Sequence, residues 1–296
     1  MPASDTDDLD EVYEIEEEFD ISLSPTGDEG SSFRTANDPA SLYQRQNVTE
    51  RKGAVDVRCQ VVDVVHGLPH PEAEVFATLI VLRFSFSSRK AGRRILEVQT
   101  SLEFAGCKAG AACPEVINIA PYGDMVLVQT SQKEDEKLSL GGNIGAPPLL
   151  GVQAGVNLAW DKSVSRETTD ATKLIGSMDL IGRNYGNANS ASWSLVENRT
   201  TKTGVPTSMT ASILLNREDN SPFKCIFKLH ATVDWMSSIE KLVGSRSRDD
   251  PVLFDPRIKP TNRLQVYDHE ALDSVNLERL ANVTFMTVQD NAVKHI

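Results

Sequence analysis

The stretch Phe223-Lys224-Cys225-Ile226-Phe227-Lys228-Leu229-His230-Ala231-Thr232-Val233-Asp234-Trp235 is the longest run in the chain with a single clear period. Phe223, Cys225, Phe227, Leu229, Ala231, Val233 and Trp235 fall on one side of an extended backbone. Lys224, Lys228, His230, Thr232 and Asp234 are among the residues on the other. Period two is the spacing of a strand with one face in a core and one in water. A helix would need its apolar residues three and four apart.

The same period recurs through the chain. Val55, Val57, Cys59 and Val61 alternate with Asp56, Arg58 and Gln60, and Phe76, Ile80, Leu82, Phe84 and Phe86 share one parity. Leu96, Val98, Leu102 and Phe104 alternate with Glu97, Gln99, Ser101 and Glu103, and the turn at residues 87–93, which holds Gly92, predicts a hairpin between these last two strands. Shorter runs follow at Val116–Ala120 and Met125–Gln129. Val152, Ala154, Val156, Leu158 and Trp160 make a clean face, answered by Leu174, Met178 and Leu180 across a polar turn at Ser165–Thr172. Trp193 with Leu195, and Met209, Ala211, Ile213 and Leu215, supply two more strands.

About ten strands, too closely spaced for crossover helices, predict a mainly β fold with antiparallel neighbours. An antiparallel β-sandwich fits best, with an open or closed lipocalin-like barrel as the alternative. After Trp235 the character changes. Ser237–Leu242 reads as a short helix, residues 244–263 as a linker or wrapping arm, Asp273 as the cap of a helix through Leu280, and Val283–Val288 as a final strand or docked tail. The expected organisation is an acidic disordered tail over 1–33, a β-rich domain over 34–243, and a C-terminal arm with a short helix over 244–296.

Charge divides the chain the same way. Twelve of its 42 acids lie between Asp5 and Glu29, and none of its 30 bases precedes Arg34. The formal net charge of −12 therefore belongs to the tail, and the body is neutral. A neutral body lacks the basic footprint that general nucleic-acid binding requires, so no nucleic acid is expected. The N-terminus has neither the basic nor the apolar region of a secretion signal, and the expected location is cytoplasmic. In that setting the sequons at Asn47, Asn198 and Asn282 carry no glycan reading. Four cysteines do not make a disulfide scaffold. Cys59 and Cys225 read as core thiols, while Cys107 and Cys113 flank a small-residue loop.

No phosphate-binding loop, dinucleotide fingerprint, nucleophile elbow or His-Glu-x-x-His is present, so no catalytic residues and no cofactor are assigned. Asp63, His66, His70 and Glu72 are the one cluster with metal-ligand chemistry. The Gly-Leu-Pro between the two histidines rules out a helical pair, and a polar loop is the plainer reading. Arg89, Lys90, Arg93 and Arg94 form the basic tip of the expected hairpin, a contact for a phosphate, a lipid headgroup or the chain's own acidic tail. In the tail, Val12, Tyr13 and Ile15, followed by Glu16-Glu17-Glu18, resemble a SUMO-interacting motif, a short strand that adds to a sheet edge.

Gly151-Val152-Gln153-Ala154-Gly155-Val156-Asn157-Leu158-Ala159-Trp160, Gly182-Arg183-Asn184-Tyr185-Gly186, Trp193-Ser194-Leu195-Val196-Glu197-Asn198 and Lys202-Thr203-Gly204-Val205-Pro206 resemble stretches of a set of uncharacterised β-rich fungal proteins. The resemblance covers residues 151–235 and implies a fungal, intracellular origin. It brings no activity with it. The leading expectation is a non-enzymatic protein-binding module whose acidic tail is regulatory or solubilising. Two others stand beside it: a membrane-inserting, pore-forming-like defence or cell-death protein, suggested by segment 141–181, and an enzyme or isomerase working in a barrel cavity.

Overall fold

The computed structural model describes residues 35–51, 55–88, 93–108, 110–139, 161–235, 238–243 and 249–285. Two antiparallel sheets face one another as a β-sandwich, and among the described residues no strand joins one sheet to the other to close a barrel. One sheet runs β1 (Asn47–Arg51), β2 (Val55–Gly67), β3 (Phe76–Ser88), β9 (Ser208–Arg217) and β13 (Asn282–Thr284). In it β5 (Glu115–Ala120) also pairs with β9. The other runs β11 (Ser238–Val243), β10 (Phe223–Trp235), β4 (Arg94–Gly106), β8 (Ser190–Val196), β7 (Asp161–Asp179) and β6 (Gly123–Ser139). In it β12 (Val252–Phe254) also pairs with β10.

The alternation seen in the sequence is what builds the interior. Phe223, Cys225, Ala231 and Val233 of β10 pack with Val98, Leu102 and Phe104 of β4 against Val57, Cys59, Phe84, Met209 and Ile213 of the opposite sheet. Trp193 on β8 sits among them, its ring centroid 6.0 Å from that of Phe84. Burial of each such large side chain is worth about 1.5–3 kcal/mol, and the shared interior couples the two sheets.

Four expectations are corrected. The strands β3 and β4 are not a hairpin: β3 pairs with β2 and β9, and β4 with β10 and β8. Both carry an apolar face, and facing each other across the core buries both. The chain therefore changes sheets between Ser88 and Arg94. The supposed polar turn at Ser165–Thr172 is mid-strand in β7, paired with residues 128–135 of β6. Ser237–Leu242 does not form a helix, because residues 238–243 add to the edge of β10 in continuous register from Trp235↔Ser238 to His230↔Val243. The late helix is shorter than expected, Leu277–Leu280, and Asn276 caps it in place of Asp273, accepting the Arg279 N–H. The face at Val152–Trp160 lies outside the described residues.

A bulge in β2 gives the first sheet a second buried face. Val61 pairs with Leu82 and Asp63 with Val81, leaving Val62 as the extra residue. Before the bulge Val57, Cys59 and Val61 point inward. After it Val64 points inward, while Asp63 and Val65 turn to the outer face. There the C-terminal arm covers Val65, Leu79 and Val81 with Tyr267, Leu272 and Leu277. The fully buried Asp63 carboxylate holds the arm: it accepts from Thr261 Oγ1 (2.9 Å), the Arg263 N–H (2.6 Å), the Leu264 N–H (2.9 Å) and Tyr267 Oη (3.1 Å). Burial, then the adjacent Asp63 carboxylate, push the Tyr267 hydroxyl up, so it keeps the proton it donates. Gly67 lets the arm approach: a Cβ there would stand 1.8 Å from the His269 carbonyl oxygen.

Asp63→Ala strands four donors under the arm and is expected to lower the unfolding free energy by about 3 kcal/mol in urea titrations. Gly67→Ala, which alters no hydrogen-bonding side chain, should destabilise through backbone displacement and speed native-state proteolysis of the arm.

Candidate functional site

The strands β6 and β7 are 17 and 19 residues long, the longest in the chain. They pair with each other from Gly123↔Gly176 to Ser139↔Asp161, with one irregularity between Val126 and Val128. The strand β8 supports β7 only over Lys173–Asp179. Among the described residues, 161–172 thus have no strand neighbour except β6, itself an edge of the sheet. The sandwich continues here as a two-stranded ribbon. At 3.3–3.4 Å per residue, the ten residues 130–139 carry it about 33 Å beyond the sheet.

Its base is firmly held. Trp193 Nε1 donates to the Pro121 carbonyl at 2.9 Å. Gly176 is pressed against the same carbonyl, where a Cβ would lie 2.1 Å from the oxygen. Where the ribbon leaves the sandwich, the loop after β8 clamps it. Asn198 Nδ2 donates to the Asp170 carbonyl (3.2 Å), and the Thr200 N–H donates to Asp170 Oδ2 (2.9 Å). Asn198 Oδ1 in turn accepts from the Thr200 and Thr201 N–H groups at 3.0 and 3.1 Å.

The sequence joining the two strands is unlike the ribbon. The strands carry Lys133, Glu134, Asp135, Glu136, Lys137, Asp161, Lys162, Arg166 and Glu167. The joining residues, 140–160, hold no charge at all. They also contain the alternating Val152, Ala154, Val156, Leu158 and Trp160, with Gln153, Gly155 and Asn157 between. The first charges to flank the uncharged stretch, Lys137 and Asp161, bracket it on both sides.

The other candidate residues do not assemble. Asp63 faces the arm, and His66, on the opposite side of the bulged strand, points between the sheets, while His70 and Glu72 are exposed. Among the described residues no group of three or more His, Cys, Asp or Glu side chains is placed to hold a metal. Arg94 opens β4, an interior strand of the larger sheet, its Nε 3.0 Å from Glu197 and its Nη2 paired with Asp234. Arg89 and Lys90, and Val12, Tyr13 and Ile15 of the tail, lie outside the described residues, and Arg93 is half-buried just before β4. A groove of about 330 Å³ on the outer face of the larger sheet is lined by Gln99, Ser101, Ser177, Ser192, Lys228 and His230. Two of its serines are already committed, Ser177 Oγ and Ser192 Oγ both donating to Asp179.

No helix among the described residues is long and apolar enough to cross a membrane, which leaves strands untouched as a means of crossing. No family model and no curated protein matches the chain. Among solved structures it is similar to a "Pore forming protein" at 7% identity and a TM-score of 0.28, over 68% of this chain and 86% of that one. It is also similar to the Clostridium perfringens NetB toxin in the membrane inserted form, at 9% identity and a TM-score of 0.28, over 67% and 89%. At those scores neither likeness carries an argument about this chain.

A two-stranded ribbon has no third strand to protect its hydrogen bonds. Amides of residues 131–139 are expected to exchange with solvent at least about tenfold faster than those of residues 98–104 in β4, by hydrogen–deuterium exchange with mass spectrometry.

Proposed function

We propose that this protein acts on membranes, and that the β6–β7 ribbon presents residues 140–160 to the lipid. The observation that carries the reading is the union of two features: a ribbon paired only with itself beyond the sandwich, and an uncharged joining sequence at its far end. A charged ribbon is soluble along its length. An uncharged end of 21 residues is not costly to place in a bilayer, provided its backbone groups are paired.

The alternation within it suits a strand in lipid. Val152, Ala154, Val156 and Leu158 would face the acyl chains, with Gln153, Gly155 and Asn157 on the other side. Trp160 would sit at the headgroup level, just before Asp161 and Lys162. A membrane strand needs about 9–11 residues, and residues 152–160 come to that length. One hairpin leaves two open edges in the bilayer, so several copies of the chain would have to contribute hairpins to close a barrel. The chemistry is physical insertion and demands no catalytic group, cofactor or metal.

The test is release of a trapped dye from vesicles of mixed phosphatidylcholine and phosphatidylserine by the full chain. Val156→Asp together with Leu158→Asp should suppress release at least tenfold, since each charge near the midplane costs about 2–4 kcal/mol. Thermal unfolding of the sandwich should stay unchanged. No release by the native chain, or undiminished release by the double variant, would sink the proposal.

A further inference from the structure

A strap, residues 35–46, runs between β12 of one sheet and β2 of the other. Tyr43 bridges Leu253 in parallel, the Gln44 N–H donates to the Leu253 carbonyl at 2.6 Å, and the Val61 N–H donates to the Gln46 carbonyl at 2.7 Å. Arg45 is the strap's main anchor. It donates from Nε to the Asn47 carbonyl (2.8 Å), from Nη1 to Asn37 Oδ1 (2.8 Å), and from Nη2 to the carbonyls of Val48 (3.1 Å) and Asp250 (2.9 Å).

The strap reaches the interior through one side chain. Gln44 Nε2 lies 2.8 Å from His66 Nε2, and the other ring nitrogen, Nδ1, lies 2.9 Å from Thr78 Oγ1 on β3. The imidazole is 8% exposed and stands edge-on to Phe223 of β10, with ring centroids 6.2 Å apart. One neutral ring thus ties the strap to three strands, β2, β3 and β10.

The charged groups around it oppose a second proton. Arg217, at the end of β9, is 4% exposed, and its Nη1 and Nη2 donate to the Ala77 and Asp219 carbonyls and Asn220 Oδ1. Asp255, just after β12, is the acid that faces His66, but Arg257 holds both its oxygens, at 2.8 and 2.6 Å. A proton on His66 would set two buried cations near each other with the one carboxylate already engaged. Hydrogen bonding does not resist the change, because the Gln44 amide can turn over and Thr78 can accept. Burial first, then Arg217, hold the imidazole down to about 3, against the pull of Asp255.

We infer that His66 is an acid-sensitive latch: its protonation favours a form in which the strap, residues 35–46, has left β2 and β12. Pulling the strap away admits water to the ring, and the charged imidazole is then solvated in the opened form. The closed form favours the neutral ring, so its advantage is complete above the unperturbed histidine pKa of about 6.5 and is lost as the pH falls from there toward the folded value. The opening constant should rise about tenfold for each pH unit below about 6.5. This latch stands independently of what the ribbon does.

The experiment is hydrogen–deuterium exchange on the full chain at several values from about pH 7 to about pH 5, corrected for the intrinsic pH dependence of exchange. Peptides covering residues 41–46 should show opening that increases about 30-fold over that range, while peptides from β3 and β8 hold steady. In His66→Gln, which is neutral at every pH and can still bond Gln44 and Thr78, the increase should vanish. The native series alone decides the matter if that variant does not fold. Equal rises in strap and core would mean global acid unfolding and would overturn the latch. So would a flat strap, the result expected if Asp255 leaves Arg257 to pair with the charged ring.

Discussion

Phe84 on β3 and Trp193 on β8 meet across the gap between the sheets, and the rest of the molecule is arranged around that contact. Phe84 also stacks on Phe86, while the Trp193 indole reaches past the core to hold the Pro121 carbonyl. One side chain therefore joins the interior to the base of the ribbon. Burial of aromatic area drives the sheets together, and the single polar atom of the indole fixes where β6 must start. The long ribbon inherits its direction from the core.

The strand faces were legible because half-burial writes itself into the sequence as alternation. Residues 223–235 and 96–104 show this most clearly, and both are strands of the larger sheet. Partnership was not legible. The turn at residues 87–93 looked like the apex of a hairpin, but turn chemistry says only that the chain reverses, not whether it returns beside itself or on the opposite layer. The short strands β1 and β12 escaped notice because their alternation is too brief to stand out: five and three residues. An arm over 244–296 was expected, but what holds it was not legible. It is held by a carboxylate whose four donors lie about 200 positions away in the chain, and no local pattern announces such a bond.

The ribbon shows a further limit. Residues 161–172 and 173–179 belong to one strand, yet the first part has a single neighbour and the second has two. Composition does change along it, from Ser, Thr and charged residues to Leu174 and Met178, and that change was read as a turn. A strand that leaves its sheet loses its apolar face because nothing remains to bury it, and the loss mimics a loop. The His66 latch was invisible for a related reason. Sequence placed that histidine beside His70 and Glu72, whereas the bulge at Val62 turns it inward, away from both.

Gly67 and Gly176 share a property with consequences for ancestry. At each, a neighbouring carbonyl lies where a side chain would begin, 1.8 and 2.1 Å from the first carbon. Most positions in this sandwich ask only for an apolar residue of suitable bulk, and many substitutions satisfy that. These two ask for the absence of a side chain altogether, and no other residue type answers. Drift can rewrite the alternating faces while leaving the fold intact, but it cannot rewrite these two points. A distant cousin of this chain would best be recognised by a glycine where the arm crosses β2 and another where the ribbon takes root.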